Sequence, residues 1–212
     1  MEVDRPAPGE ELKQDEAAPT PPRDAATVIL LRGGDERLEV LLVKRNPAQR
    51  FMGGAWVFPG GAVDAGEAEG DHPHRVAAVR ETEEEAGIAL PGPEVLVPYS
   101  RWVTPAQIRI RFDTLFFLAE VGDDQEATCD GDECVDARWF TPTAALQAYA
   151  DDEIVLVFPT IKTLQQLASH PHAAAAVAAA RNRTVEPVIP RVVMGDAGPK
   201  VFLPGEPGYD DA

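Results

Sequence analysis

The segment Arg80-Glu81-Thr82-Glu83-Glu84-Glu85-Ala86-Gly87-Ile88 constrains this chain more than any other. Arg75 to Ala86 reads as a helix, and Gly87 suits the position after its last turn because glycine enters the left-handed backbone region that closes helices. Glu81, Glu84 and Glu85 are related by i, i+3 and i+4, so they fall within roughly a 100° arc of that helix. Three carboxylates are therefore expected to converge on one face, leaving Val79, Thr82 and Ala86 on the far side to pack on a sheet. Like charges at these spacings repel by about a few tenths of a kcal/mol per pair, and a cation relieves that. Mg²⁺ takes oxygen ligands and retains waters, which suits a carboxylate face completed by substrate phosphates. Arg80 can pair with a carboxylate one turn away or with a neighbouring strand and so fix rotamers. Taken alone, Glu83 to Glu85 is equally an ordinary solvated face.

The surrounding chain predicts one domain over residues 25 to 186. It is preceded by a flexible, Pro-rich leader (1 to 24) and followed by a Pro/Gly-rich extension (187 to 212), read as either a strap or a disordered tail. Ala26–Leu31 and Leu38–Lys44 read as a hairpin joined through Gly33, Gly34 and Asp35. A loop from Asn46 to Asp64 ends in Phe58-Pro59-Gly60-Gly61, where proline and two glycines exclude ordinary helix and favour close backbone approach. After a His72-Pro73-His74 turn and the glutamate helix come strands at Val95–Tyr99 and Ile108–Val121. The second alternates Arg109, Arg111 and Asp113 with apolar residues. Trp139 and Phe140 end another strand, Thr141 caps a helix with Pro142 at its first position, and helices follow at Ile161–Ala168 and 173–180. This order predicts an α/β (α+β) fold with a mixed sheet between helices, an α/β/α sandwich.

Charge narrows the function. With 19 Lys plus Arg against 36 Asp plus Glu, the net charge is −17, which disfavours nucleic acid and anionic membranes as partners. An acidic protein acting on phosphates needs divalent cations to neutralise its site. Cys129 and Cys134 are too few for a tetrahedral zinc site and read as free thiols in a reducing compartment. With no signal-like N-terminus and no run of about 18 apolar residues, a soluble, cytoplasmic protein is expected. His72, His74, His170 and His172 flank prolines and read as structural.

Taken together, Gly61, Glu67 after five residues, and Arg80-Glu81-Thr82-x-Glu84-Glu85-x-Gly87-Ile88 resemble the Nudix box. In that pattern, Gly-x5-Glu-x7-Arg-Glu-U-x-Glu-Glu-x-Gly-U, U is a bulky aliphatic residue. Every charged and glycine position matches, and Phe58-Pro59-Gly60-Gly61 is similar to what leads into the box. Two positions depart from it. Twelve residues rather than seven separate Glu67 from Arg80, so five extra residues lengthen the preceding loop, and Thr82 stands at an aliphatic position. The resemblance implies the sandwich fold and Mg²⁺- or Mn²⁺-dependent attack of water on a nucleoside diphosphate derivative. It further implies Glu81, Glu84 and Glu85 as ligands, Glu67 as a ligand or supporting group, Arg80 as the orienting partner and the Gly61 carbonyl within reach of the metal. The general base comes either from the box glutamates or from an outside acid, for which Glu133 is the candidate. Asp130, Asp132, Glu133 and Asp136 read equally as a solvated loop.

Upstream, Leu41 to Arg45 and Arg50-x3-Gly54-x3-Phe58-Pro59-Gly60-Gly61 are similar to the motif of coenzyme A diphosphatases. The stretch between Arg45 and Arg50 is one residue shorter than that motif, and Asn46-Pro47 replaces its Ser-Ala. This resemblance implies coenzyme A or acyl-coenzyme A as substrate; the alternatives are ADP-ribose, NADH or another nucleotide, or a non-catalytic nucleotide sensor. Arg45 and Arg50 would hold phosphates, Gly60 and Gly61 would let backbone approach the substrate, and Trp102, near Arg101, Thr104 and Pro105, would stack on adenine or simply pack. Arg109 and Arg111 would meet phosphates or pair across strands. Sequence leaves oligomeric state open, with 173 to 203 available as the interface of a homodimer.

Overall fold

The computed structural model describes residues 19–49, 52–195 and 198–209. Its elements in chain order are β1 (Arg23–Arg32), β2 (Glu39–Arg45), β3 (Trp56–Val57), β4 (Gly60–Ala62), α1 (Ala65–Ala68), α2 (Pro73–Ala86), β5 (Val97–Val103), β6 (Phe112–Glu120), β7 (Cys134–Phe140), α3 (Pro142–Ala150), α4 (Phe158–Leu167), α5 (Ala173–Arg181), β8 (Pro187–Val188), β9 (Arg191–Gly195) and β10 (Gly198–Phe202). The main sheet runs β3-β2-β1-β6-β5-β8, with β4 also on β1 and β7 also on β2. It is mixed, because β1 pairs parallel with β6 and antiparallel with β2 and β4.

β1 shows why both faces of this sheet must be covered. Ala26, Val28 and Leu30 enter one apolar cluster with Ala77, Ala78 and Ala86 of α2, while Ile29 and Leu31 enter a second with residues of α3, α4 and α5. A strand alternates its side chains between faces, so this continuous apolar run builds two cores at once. The result is an α/β/α sandwich, as the sequence predicts.

The expected hairpin forms, with Leu31 opposite Val40 and Arg32 opposite Glu39, but only these two pairs join β1 to β2. Beyond them the strands separate, and the segment expected to be a loop supplies two short strands: Val57 pairs with Val43 of β2, then Gly60 pairs with Thr27 of β1. Its pairing uses backbone groups, which the Gly-rich composition does not advertise.

Other bounds move for local reasons. Pro73 takes the first position of α2, where its missing N–H costs nothing, and His72 precedes it in the left-handed region at φ 57°. The strand expected from Val95 begins at Val97, after a 3₁₀ turn at Pro93–Val95, and continues through Arg101 and Trp102 to Val103. The strand expected from Ile108 begins only at Phe112. Thr104 closes this end, its N–H donating to the Phe112 carbonyl (2.9 Å) and its Oγ1 accepting from the Phe112 N–H (3.0 Å). Arg109 and Arg111 therefore lie outside the strand. The Thr141 cap is as expected, its hydroxyl accepting from the Ala144 N–H.

The C-terminal segment runs as a strap along the domain. β8 pairs with β5, Trp102 opposite Val188, the Tyr209 hydroxyl donates to the Ile189 carbonyl (2.9 Å), and Leu203 packs against the α3–α5 side of the core. Among the described residues no helix is long and apolar enough to cross a membrane.

Leu118 of β6 is fully buried between the layers. Leu118→Ala is expected to lower unfolding free energy by about 2–5 kcal/mol, read as a lower urea midpoint with an unchanged slope.

Candidate active site

Two missing side chains set the geometry. A Cβ on Gly60, at φ 157°, would run into the Ala26 carbonyl oxygen, and one on Gly61 would run into the Glu81 carboxylate. Glycine at both positions lets β4 lie against β1 while α2 presses its acids onto the same backbone. The Gly60 N–H donates to Glu85 Oε2 at 2.9 Å.

α2 carries its three acids on one arc, but burial treats them unequally. The stripe docked against the sheet contains Ala78, Glu81, Thr82, Glu85 and Ala86. The Glu85 side chain is almost completely enclosed, whereas that of Glu84 is 56% exposed on the rim. The predicted 100° arc straddles the edge of the docked face, so burial divides it. Val79, expected to pack on the far side, is only half-buried, and Glu81 and Glu85 share the stripe with Thr82 and Ala86.

Arg80 ties the remainder together. Its Nε and one terminal nitrogen grip Glu67 (2.8 and 3.2 Å), the other terminal nitrogen reaches Glu81 Oε1 and Glu84 Oε2 at 2.8 Å each, and a further bond goes to the Ala62 carbonyl (3.1 Å). Both pairings anticipated for Arg80 occur. The lengthened loop does not carry Glu67 away, because the extra residues follow α1, where Glu67 also accepts from the Asp64 N–H (2.8 Å).

Electrostatics follow from these contacts. Hydrogen bonds from Arg80 hold the Glu67 carboxyl below its ordinary range. Burial raises Glu81, with Arg80 opposing. Burial raises Glu85 more, to about 7, against the Gly60 N–H and Arg45, whose guanidinium lies 3.8 Å from Oε1. Glu85 Oε1 is buried with no hydrogen-bond partner among the described residues. A buried carboxylate oxygen without a partner is costly, and a divalent cation is one way to satisfy it. In this arrangement no three His, Cys, Asp or Glu among the described residues gather into a metal cluster. The donor chemistry still suits Mg²⁺ or Mn²⁺, since Glu67, Glu81, Glu84 and Glu85 are close by and Arg80 already supplies a cation to the first three.

A cavity of about 510 Å³ opens over this region. Arg45, Met52, Gly60, Gly61, Glu81, Glu133 and Trp102 line it, as do Arg23, Phe112, Phe158, Pro190, Val192 and Val201, which sequence reading did not single out. Arg23 lay within the expected leader, and its signal was its place before the apolar run that begins at Ala25, with one residue between. Glu133 is held by its backbone, its carbonyl accepting from the Asn46 N–H (2.8 Å) while the Asp130 carboxylate takes the N–H of Glu133 and of Cys134. Arg50 falls outside the described residues. Trp102 is buried and meets Phe158 edge to face, ring centres 6.1 Å apart. Arg111 is spent on the carbonyls of Thr104 and Thr20, and it is Arg101 that pairs across strands, with Asp113. The four histidines lie away from the cavity; His172 caps α5 by accepting the Ala175 N–H. Cys129 and Cys134 are free thiols.

Comparison with known proteins gives the same picture. The NUDIX domain family model matches residues 21–158. A Caenorhabditis elegans protein named as a nudix hydrolase is 29% identical over 60% of this chain and 55% of its own length. A Homo sapiens protein named acyl-coenzyme A diphosphatase NUDT19 is 24% identical over 63% of this chain. The chain spans only 55% and 61% of these two relatives. The crystal structure of a NUDIX hydrolase from Alicyclobacillus acidocaldarius superposes with a TM-score of 0.68 at 29% identity, covering 76% of this chain and 97% of that one.

Gly60→Ala is expected to cost more than about 1 kcal/mol, since backbone rather than a flexible side chain blocks the new Cβ. Gly70→Ala, whose Cβ would make only ordinary contact with the Glu67 carbonyl, should stay within about 0.5 kcal/mol of the parent. Paired thermal melts of the two variants make the comparison.

Proposed function

This chain belongs to the NUDIX domain family, and from that premise we propose that it hydrolyses the diphosphate linkage of coenzyme A or an acyl-coenzyme A with Mg²⁺ or Mn²⁺. One observation carries the choice of substrate: a single cavity joins the Glu81, Gly61 and Glu133 region to a long apolar stretch around Phe112, Phe158 and Val192. A diphosphate whose extended arm ends in an aliphatic acyl chain matches that lining better than a compact nucleotide. The name of the human relative supports the same reading.

In this proposal Glu81, Glu84 and Glu85 hold the metal, with Glu67 and the Gly61 carbonyl beside them. When bound, the ion polarises the phosphoryl oxygens and lowers the pKa of the attacking water. Arg80 orients Glu67, Glu81 and Glu84, and it must release part of its grip as they turn toward the ion. Arg45 and Arg50 bind phosphate oxygens, for which a guanidinium fork is well shaped. Gly60 and Gly61 let the substrate lie against bare backbone, and Trp102 forms part of the wall beside it. Glu133 accepts the proton of the water as its oxygen bonds to phosphorus. The anhydride P–O bond then breaks, leaving a phosphate on each half.

The test is turnover of coenzyme A, an acyl-coenzyme A, ADP-ribose, NADH and nucleoside triphosphates with Mg²⁺ or Mn²⁺, comparing the parent with Glu84→Gln. Adenosine 3′,5′-bisphosphate should be released from the coenzyme A substrates by the parent and much more slowly by the variant. If nothing turns over in either protein the hydrolase reading fails, and turnover of ADP-ribose alone removes the coenzyme A assignment. Glu133→Gln should lower kcat by about 10²–10⁴-fold with KM little changed.

A pH prediction follows from Glu85. Its raised pKa, about 7 without metal, means that below that pH the ion must displace a proton. Mg²⁺ affinity should therefore climb as pH rises toward 7 and level off above it. Calorimetry in buffers of different ionisation enthalpy should detect proton release on binding at pH 6 and little at pH 8.

A further inference from the structure

β9 and β10 lie beyond the stretch matched by the family model, which ends at residue 158, yet they form part of the wall of the candidate active site. Val192 and Val201 are cross-strand partners in this hairpin and both line the cavity. The next pair, Val193 and Lys200, is exposed, as alternation requires if one face turns inward. The hairpin is fixed at both ends, by β8 on the edge of the main sheet and by Leu203 in the core. It stands over the β5–β8 side of the sheet, whereas Gly61 lies on β4, beside β1. Strands about 4.8 Å apart put three steps, or roughly 14 Å, between β4 and β5.

The far end is lined by Ile108, Phe112, Phe158, Pro190, Val192 and Val201. A nucleobase there would need polar partners and an open aromatic face. The Thr104 hydroxyl already accepts from the Phe112 N–H, Arg23 lies over the Phe112 ring at 4.9 Å, and Trp102 and Phe158 meet each other at 84°. What these surfaces offer is dispersion contact and shelter from water, which an aliphatic chain uses fully.

We propose that the Val192/Val201 face of the hairpin encloses the aliphatic acyl chain of the substrate and sets the preference for its length. The idea rests on the diphosphatase reading above, so its test separates the two. The probes are methyl, hexyl and dodecyl esters of methylenediphosphonate, in which carbon replaces the bridging oxygen. Binding to the full chain is measured by calorimetry with Mg²⁺. Each buried methylene is worth about 0.8 kcal/mol, or close to fourfold in affinity; the dodecyl ester should therefore bind at least about 10²-fold more tightly than the methyl ester.

Val192→Asp and Val201→Asp, made separately, should collapse this ratio toward one, Val192→Leu should retain it, and Val193→Asp on the exposed face should leave it unchanged. Because the readout is a ratio within one protein, partial loss of folded material does not mimic the effect. If the methyl ester binds but chain length has no influence, or if the ratio survives in both aspartate variants, the hairpin assignment is overturned while the diphosphatase reading stands. If no ester binds at all, both fall.

Discussion

The candidate site depends on the absence of two side chains. Between the diverging β1 and β2, the segment from Trp56 to Ala62 pairs first with one strand and then with the other, and at Gly60 and Gly61 it meets the Ala26 carbonyl and the Glu81 carboxylate with no room for a Cβ. A side chain at Gly60 would push β4 from β1, and one at Gly61 would push the Glu81 carboxylate from its place. The layer contact and the position of the acids are thus one constraint. What stabilises the packing also places a buried carboxylate, Glu85, against a backbone N–H.

Arg80 resolves the conflict that this packing creates. Several carboxylates brought close together repel, and burial raises the cost of ionising Glu81 and Glu85. Arg80 meets Glu67, Glu81 and Glu84 at once, neutralising those that can reach it. Glu85 lies beyond its reach and keeps an oxygen with no hydrogen bond among the described residues, only the Arg45 guanidinium 3.8 Å away. The acids are therefore unequal: three share an internal cation, and one is left to be satisfied from outside. The proposed divalent ion would meet acids that Arg80 already keeps from repelling one another.

Much of this was legible in the sequence because it rests on local pattern. The box residues, the Gly87 terminus and the Thr141-Pro142 helix start are set by helix geometry and capping chemistry, which neighbouring residues suffice to reveal. Long-range placement was not legible. The unequal burial of Glu81, Glu84 and Glu85 could not be read, because the edge of a docked helix face depends on how α2 sits on β1 and β4, not on spacing along α2. β3 and β4 were hidden because their pairing uses only backbone groups. Arg109 and Arg111 were placed on a strand because an alternating pattern cannot show that Thr104 closes the ladder at Phe112. Arg23 and the Val192/Val201 face entered the cavity from opposite ends of the chain, and no pattern within a short window connects them.

That division bears on how such a protein changes over time. The acids, the glycines and Arg80 lie within residues 60 to 85, and the hydrogen bonds and ion pairs that hold the carboxylates come mainly from α1, α2, β2 and β4. The far wall comes from β5, α4 and the C-terminal hairpin, which join the catalytic half through the sheet and the cavity they share. A substitution at Val192 or Val201 alters the shape of the apolar end and leaves the hydrogen bonds of the carboxylates intact. In the proposed hydrolase, the residues assigned to the diphosphate are thus separated from those assigned to the rest of the substrate, so specificity would be free to drift on the hairpin without disturbing the carboxylates.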